Sequence, residues 1–158
     1  MSKHHHYTAT IRWTGNNGTG TSRYDAYERS HVWSVAGKPD IECSSDAPFR
    51  GDVTKHNPED MLLASLSSCH MLWYLHLCAD AGIIVTHYAD NPTGRMLQTD
   101  TGGGYFEEVM LNPVVTVTDE EMIPRAMELH DEAHAHCFIA NSMKFQVLHT
   151  PICVAHTS

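Results

Sequence analysis

One long apolar segment near the middle of the chain constrains the fold more than any other feature. Asn57 is suited to the N-cap of a helix and Pro58 to the first helical position. Glu59 and Asp60 then place negative charge at the helix N-terminus, and Gly82 is a natural end. Because the intervening residues are apolar nearly all round, the segment predicts a buried central helix of about 24 residues, roughly 36 Å long.

A membrane span is the competing interpretation of a segment of this length. Polar residues interrupt the apolar run, and no basic cluster anchors either end. The chain carries 10 Lys plus Arg against 19 Asp plus Glu, a formal charge of −9, so it also lacks the basic surface that nucleic acid or an anionic membrane requires. We therefore expect a soluble protein with neither partner. The interrupting residues are Ser65, Ser67, Ser68, His70 and His76.

Strand-like segments lie on both sides of the predicted helix. Residues 7–13 alternate apolar and polar side chains, a period of two that is typical of a half-buried strand. This order of elements predicts the α+β class, with antiparallel sheets packed around the long helix in a single domain of residues 1–158. We expect residues 1–6 to be disordered. Further strands are predicted at 24–28, 31–35, 41–44, 83–88, 95–99, 105–117 and 145–154, with a second helix at 120–136 and a short helical turn at 138–142.

The five cysteines are an odd number, are widely spread and form no CxxC motif. This usage argues against a secreted disulfide framework, and the start of the chain lacks the apolar core of a signal peptide, so we expect a cytoplasmic protein. Spacing alone distinguishes neither Cys69 nor Cys137, because a buried cysteine is usually a small hydrophobic residue. Cys78 lies on the opposite helix face from Cys69. Cys43 and Cys153 lie in strand-like segments and are expected to be structural.

Two of the cysteine-containing segments together resemble the OsmC/Ohr family. Residues 57–69, Asn-Pro-Glu-Asp-Met-Leu-Leu-Ala-Ser-Leu-Ser-Ser-Cys, are similar to the family's Asn-Pro-Glu stretch, which runs along a helix to a peroxidatic cysteine. Residues 136–142, His-Cys-Phe-Ile-Ala-Asn-Ser, are similar to its second cysteine segment. The resemblance covers about Ile41 to Ser142 and implies an OsmC-like fold and an intertwined homodimer.

The resemblance also implies a thiol-dependent peroxidase that needs no cofactor and no metal. Cys69 would attack an organic hydroperoxide and become a sulfenic acid, and Cys137 would resolve that acid as a disulfide. An external dithiol, lipoyl-type in the family, would then reset the enzyme. Hydrogen peroxide stays open as a second substrate. An apolar wall formed by Met61, Leu62, Leu66 and Phe138 would favour bulky organic hydroperoxides.

A nearby cation is needed to hold a cysteine as thiolate, since the free thiol has a pKa of about 8.5. The resemblance implies an arginine paired with Glu59: Arg50 suits the OsmC-type placement and is favoured, whereas Arg29 suits the Ohr-type placement. Glu59 and Cys69 are roughly 15 Å apart along one helix and about 280° apart around it, so they cannot touch within that helix. If both serve one site, the Glu59–arginine pair reaches Cys69 across two chains, which predicts an obligate dimer.

Two other functions stay open. His130 and His134 lie at i and i+4 with Cys137 close behind, which would suit a metal-binding protein, although Asp131 stands where the HExxH motif has Glu. A ligand-binding protein with the family fold and no peroxidase activity is the other alternative. His70, directly after the predicted nucleophile, is expected to be a hydrogen-bonded core residue.

Overall fold

The computed structural model describes residues 1–156. The chain forms two compact units, Met1–Met61 and Leu62–Ser158. The long helix α1, Pro58–Asp80, begins at the end of the first unit and continues in the second. The side-chain oxygen of Asn57 accepts a hydrogen bond from the Asp60 backbone at 2.8 Å, so Asn57 is the N-cap that the sequence predicts.

The first unit contains a three-stranded antiparallel sheet in the order β1-β2-β3. All four residues of β1 are exposed, so the predicted half-buried strand over 7–13 is shorter and lies at a sheet edge. The predicted strand over 24–28 is wrong: this segment forms turns and bends. The guanidinium of Arg29 lies over the rings of Tyr24 and Tyr27, which takes these residues out of any ladder. The strands are β1 Thr10–Trp13, β2 His31–Ser34 and β3 Ile41–Cys43.

The second unit contains two three-stranded sheets, ordered β4-β7-β9 and β5-β6-β8. The predicted single strands over 105–117 and 145–154 are each divided in two, at Asn112, directly before Pro113, and at residues 150–151, which include Pro151. Proline has no backbone N–H to donate to a ladder, which explains both interruptions. The six strands are β4 Val85–Asp90, β5 Thr93–Gln98, β6 Gly104–Leu111, β7 Pro113–Val117, β8 Gln146–His149 and β9 Ile152–Ala155.

Both sheets of the second unit are mixed, whereas the sequence predicts antiparallel sheets. β8 pairs parallel with β6, and β9 pairs parallel with β7. Parallel neighbours need a long crossover, and here the chain returns through the second helix, α2, Ile123–His136. A short 3-10 turn at Glu120–Met122 precedes α2, and another at Ala140–Ser142 follows it, as predicted for residues 138–142.

Only one stripe of α1 is buried. The sequence predicts a helix buried on nearly all sides, so the buried surface is narrower than predicted. The fully buried residues recur every four positions, as one helix face requires, while Leu72 is 63 % exposed. By length and composition alone α1 could span a membrane, a test that core helices of soluble proteins also pass. Gly82, with φ 71°, follows the helix end. The buried stripe is Leu66, His70, Tyr74 and Cys78.

The buried stripe of α1 contributes to two hydrophobic clusters in the second unit. Tyr74 and Cys78 pack with residues of β7 and α2, and Leu66 packs with residues of β6 and β8. The helix therefore contacts both sheets and α2 through a single face. The first cluster is Tyr74, Cys78, Val115, Val117, Ala126, Leu129 and Ala133; the second is Leu66, Val109, Leu111 and Val147.

Two leucines of the sheet β5-β6-β8 test this assignment of the core. Leu111 is 1 % exposed and Leu97 is 40 % exposed. We expect Leu111→Ala to lower the free energy of unfolding by about 2–5 kcal/mol, because it removes buried methyl groups and leaves a cavity. Leu97→Ala, the same change on a neighbouring strand, is expected to cost less than about 1 kcal/mol. Urea denaturation measures both, and equal losses would contradict the assignment.

Candidate active site

Cys69 lies in the middle of α1, beside the buried stripe, and is partly exposed. The hydroxyls of two neighbouring serines on the helix donate hydrogen bonds to backbone carbonyls. Ser65 donates to the carbonyl of Leu62 at 2.8 Å, and Ser68 donates to that of Ala64 at 2.7 Å. The thiol is therefore reachable by a small molecule and is not screened by these hydroxyls.

Cys137 ends α2 and is 1 % exposed. Its backbone leaves the helix in an extended conformation, and its sulfur accepts a long hydrogen bond from the Ala140 N–H at 3.5 Å. The side-chain amide of Asn141 donates to the carbonyl of Ala135 at 3.0 Å, which satisfies one of the free carbonyls at the helix end. The small-residue turn after Cys137 thus closes the helix and encloses the thiol.

Cys69 lies close enough to Cys137 to affect the ionisation of its thiol, and both cysteines are free thiols. Burial raises the pKa of the Cys137 thiol to about 11, and the neighbouring Cys69 raises that pKa further, while the Ala140 N–H opposes the shift. Cys137 is therefore protonated at neutral pH. The pair consists of one accessible thiol on α1 and one enclosed, protonated thiol at the end of α2.

Two aromatic rings adjoin the thiol pair. Trp73 lies one turn after Cys69, and Phe138 follows Cys137, with the ring centroids 5.6 Å apart. Phe138, which the sequence predicts as part of an apolar wall, is 68 % exposed. Leu66, predicted for the same wall, is fully buried in the core and cannot line an accessible surface.

The residues predicted to activate Cys69 lie in the first unit. Glu59 occupies the first turn of α1 and is partly buried. Arg50 is exposed and has a left-handed backbone, φ 62°, at the end of a 3-10 turn. The Arg29 guanidinium donates to two backbone carbonyls at 2.6 Å each, those of Tyr24 and Tyr27. Among the residues described for this single chain, Glu59 forms no ion pair with either arginine.

The remaining cysteines occupy the interior. Cys43 lies on β3 with its sulfur 3.9 Å from that of Met61. Cys78 belongs to the first hydrophobic cluster, and Cys153 packs against that cluster. Burial raises the pKa of all three thiols, which disfavours the reactive thiolate. The sequence predicts a structural role for Cys43 and Cys153, and the raised pKa of each thiol fits that role; Cys78, for which the sequence predicts no role, has a similar environment.

A buried histidine pair joins the two cysteine-bearing helices. The Nε2 of His70, on α1, is 3.0 Å from the Nδ1 of His130, on α2, and both side chains are at most 1 % exposed. Tyr74 stacks on His130 with the ring centroids 3.9 Å apart. Within residues 1–156, the Nδ1 of His70 and the Nε2 of His130 have no hydrogen-bond partner. His70 is thus the hydrogen-bonded core residue that the sequence predicts, and its partner is a residue assigned there to a metal site.

No third ligand completes the metal site predicted at His130 and His134, as far as the described residues show. His134 is partly buried, and its ring centroid is 5.3 Å from that of His149, whose Nε2 lies 2.8 Å from the Asp131 carboxylate. Over residues 1–156, no group of three or more His, Cys, Asp or Glu side chains is placed to hold a metal ion. His130 and His134 therefore have different roles despite sharing one helix face.

Both rings of the buried pair are neutral at physiological pH. Burial, and secondarily the charges of His149 and His134, lower the pKa of His70 to about 4. Burial, then the charges of His70 and His149, lower the pKa of His130 to about 3, against a small opposing effect of Asp131. A hydrogen bond between two imidazoles requires a lone pair on one of them, and the neutral state provides it.

We expect this pair to make the fold sensitive to acid. Below about pH 6.5 the unfolded chain binds protons that the folded rings refuse, so stability falls as pH falls. At pH 5 the loss is about 2 kcal/mol for each ring. The double variant His70→Leu/His130→Leu should lose less stability than wild type between pH 7.5 and pH 5 in urea denaturation. Equal losses in the two proteins would contradict the depressed pKa values.

Comparison with known proteins identifies the family. A family model described as OsmC-like protein matches residues 51–150. The solved structure of an OsmC-like protein of unknown function from Vibrio cholerae is 29% identical, with a TM-score of 0.81, over 96% of this chain and 100% of that one. An organic hydroperoxide resistance protein from Elizabethkingia anophelis shares the fold at 19% identity, with a TM-score of 0.69, over 99% of this chain and 100% of that one. No curated protein matches the chain. The α+β, OsmC-like fold is confirmed, and the chain belongs to the OsmC-like protein family.

Proposed function

We propose that this protein is a thiol-dependent peroxidase that reduces organic hydroperoxides. The observation that carries the proposal is the pairing of a partly exposed Cys69 with a buried, protonated Cys137. Membership of the OsmC-like family supports it, since structural relatives of this chain include organic hydroperoxide resistance proteins. The Trp73 and Phe138 rings beside the thiols offer apolar surface to the organic part of such a substrate.

In the first step the Cys69 thiolate attacks the distal oxygen of the hydroperoxide. A sulfur–oxygen bond forms while the O–O bond breaks, and the departing alkoxide takes a proton from water to become the alcohol. The sulfur is oxidised to a sulfenic acid, and the peroxide is reduced. The accessible position of Cys69 on α1 allows this approach, which the enclosed Cys137 does not.

In the second step Cys137 attacks the Cys69 sulfenic acid. The S–S bond forms as the S–O bond breaks, and the leaving hydroxide combines with the Cys137 proton to form water. The high pKa of Cys137 fits this order of events, because its thiol stays protonated, and hence a poor nucleophile toward peroxide, until the sulfenic acid is present. An external dithiol then reduces the disulfide and is itself oxidised, so the cycle needs neither a metal nor a bound cofactor.

We further propose that Glu59 and an arginine hold Cys69 as thiolate, and that the site is shared between the chains of a homodimer. Arg50 is favoured, because its guanidinium is exposed and free of hydrogen bonds in the described residues, whereas Arg29 is engaged by two carbonyls. Glu59 and Cys69 are ten positions apart on the same helix, which supports a contribution across two chains. Reduced thiols and a dithiol reductant point to the cytoplasm.

Peroxide consumption by cysteine variants tests the proposed function. With cumene hydroperoxide and dihydrolipoamide, Cys69→Ser should abolish turnover, because the attacking sulfur is lost. Cys137→Ser should complete the first turnover and then accumulate sulfinic acid at Cys69, seen by intact mass. Cys78→Ser, a buried thiol of the same helix, is the matched control and should turn over like wild type. No turnover in wild type with any dithiol would favour the ligand-binding or metal-binding alternative.

The activating arginine is tested by the pH dependence of thiol alkylation. Arg50→Ala should raise the pKa of Cys69 and lower kcat/KM for hydroperoxide by about 100-fold, since removing a nearby cation destabilises the thiolate. Arg29→Ala serves as the comparison and should change both far less. The opposite ranking would assign activation to Arg29.

Sedimentation of the active wild type should give a dimer, and an active monomer would contradict the shared site.

A further inference from the structure

The His70–His130 hydrogen bond is placed where it can govern the distance between the two reactive thiols. His70 follows Cys69 on α1, and His130 lies on α2, the helix that ends at Cys137. Across residues 1–156, this is the only side-chain hydrogen bond between α1 and α2. The two helices otherwise meet through the Trp73 and His136 rings, whose centroids are 5.0 Å apart, and through the cluster that contains Tyr74, Leu129 and Ala133. These contacts are less directional than a hydrogen bond.

We propose that the His70–His130 pair is a latch that positions Cys137 against Cys69 and thereby controls the resolving step. The inference rests on the proposed peroxidase function, and it assigns a positioning role to two residues that touch neither the substrate nor the reacting sulfur atoms. In the latch, α2 is a rigid arm of two helical turns, about 10 Å, from His130 to Cys137. Holding one end of this arm next to Cys69 restrains the other.

The resolving step is the one most sensitive to such positioning. A disulfide requires a sulfur–sulfur distance of about 2.05 Å and a Cβ–Cβ distance of about 3.8 Å, so both backbones must be held close together. A displacement of about 1 Å can slow an oriented reaction by about 100-fold. Attack on the hydroperoxide takes place at Cys69 on α1 and needs no contact between the two sulfur atoms, so it depends far less on where α2 lies than disulfide formation does.

The His70–His130 pair costs free energy of folding, because it leaves buried polar atoms unpaired, and this cost indicates a role beyond packing. Whichever ring donates, one N–H and one lone pair remain buried without a partner, at the Nδ1 of His70 and the Nε2 of His130. Each such atom costs about 1–3 kcal/mol, whereas two apolar side chains of similar size would cost nothing of this kind. A directional contact fixes the register of two helices in a way that apolar packing does not, and the thiol pair requires that register.

The surroundings of the latch hold it in place. Tyr74 stacks on His130 at 3.9 Å with the rings 12° from parallel. The ring of His149 is 5.5 Å from His70 and 6.5 Å from His130, and its own Nε2 faces the exposed Asp131. His134 lies on the same face of α2 as His130, and its ring centroid is 5.3 Å from that of His149. The latch is thus the buried end of a histidine cluster whose outer members, His134 and His149, are only partly buried.

Rapid-quench mass spectrometry of the full chain separates attack from resolution. After one equivalent of cumene hydroperoxide, His70→Leu/His130→Leu should form the sulfenic acid at the wild-type rate, within about twofold, but the disulfide at least about tenfold more slowly. Under excess peroxide it should accumulate sulfinic acid. His130→Asn should restore resolution, because its side-chain amide can donate or accept at the position of the ring Nδ1. An unchanged rate of disulfide formation in the double leucine variant would overturn the latch.

A stability control distinguishes positioning from loss of folded protein. Val115→Ala removes buried volume from the first hydrophobic cluster, the one that contains Tyr74, and leaves both histidines in place. It should lower Tm without changing the ratio of disulfide to sulfinic acid. The double leucine variant should do the reverse, with Tm kept or raised and the ratio shifted. A shift in the ratio that follows Tm across both variants would overturn the latch.

A peroxide-free measurement separates the latch from the proposed function. Equilibration with reduced and oxidised glutathione gives the effective concentration of Cys137 toward Cys69, which should fall at least about tenfold in His70→Leu/His130→Leu and recover in His130→Asn. Such a fall supports the latch even if wild type consumes no hydroperoxide, in which case the peroxidase proposal alone fails. An unchanged effective concentration overturns the latch even if the enzyme is an active peroxidase.

Discussion

Burial of one stripe of α1 is the constraint on which the second unit depends. Four side chains spaced four residues apart, Leu66, His70, Tyr74 and Cys78, pack against strands from both sheets and against α2. The next residue round a helix is displaced by about 100°, so Cys69 falls at the border of the stripe. The same periodicity that builds the core therefore leaves this thiol partly exposed.

Burial also makes the two thiols unlike each other. Cys137 is enclosed by the turn that closes α2, and its thiol stays protonated at neutral pH, whereas Cys69 faces solvent from the middle of α1. In the proposed cycle this difference orders the two steps, because peroxide reaches the partly exposed Cys69 first and Cys137 reacts only with the oxidised Cys69.

The histidine pair illustrates how a protein can trade stability for geometry. Two imidazoles in an apolar core leave two polar atoms without partners, and acid makes their burial still more costly. In return, a directional bond of 3.0 Å connects the helix that carries Cys69 to the helix that ends at Cys137. Functional positions are where such a local cost is expected, because the rest of the core can compensate for it.

Local signals explain what the sequence determined by itself. Asn57, Pro58 and the polar residues around them define the start of α1 within a few positions, and the two cysteine segments carried the family resemblance and the order of the thiols. The parallel pairing of β8 with β6 and of β9 with β7 was decided by tertiary structure. The partner of His70 lies sixty residues away, and no periodicity encodes such a pairing. Capping and helix periodicity act between near neighbours, whereas strand pairing and buried polar contacts depend on which surfaces the folded chain brings together.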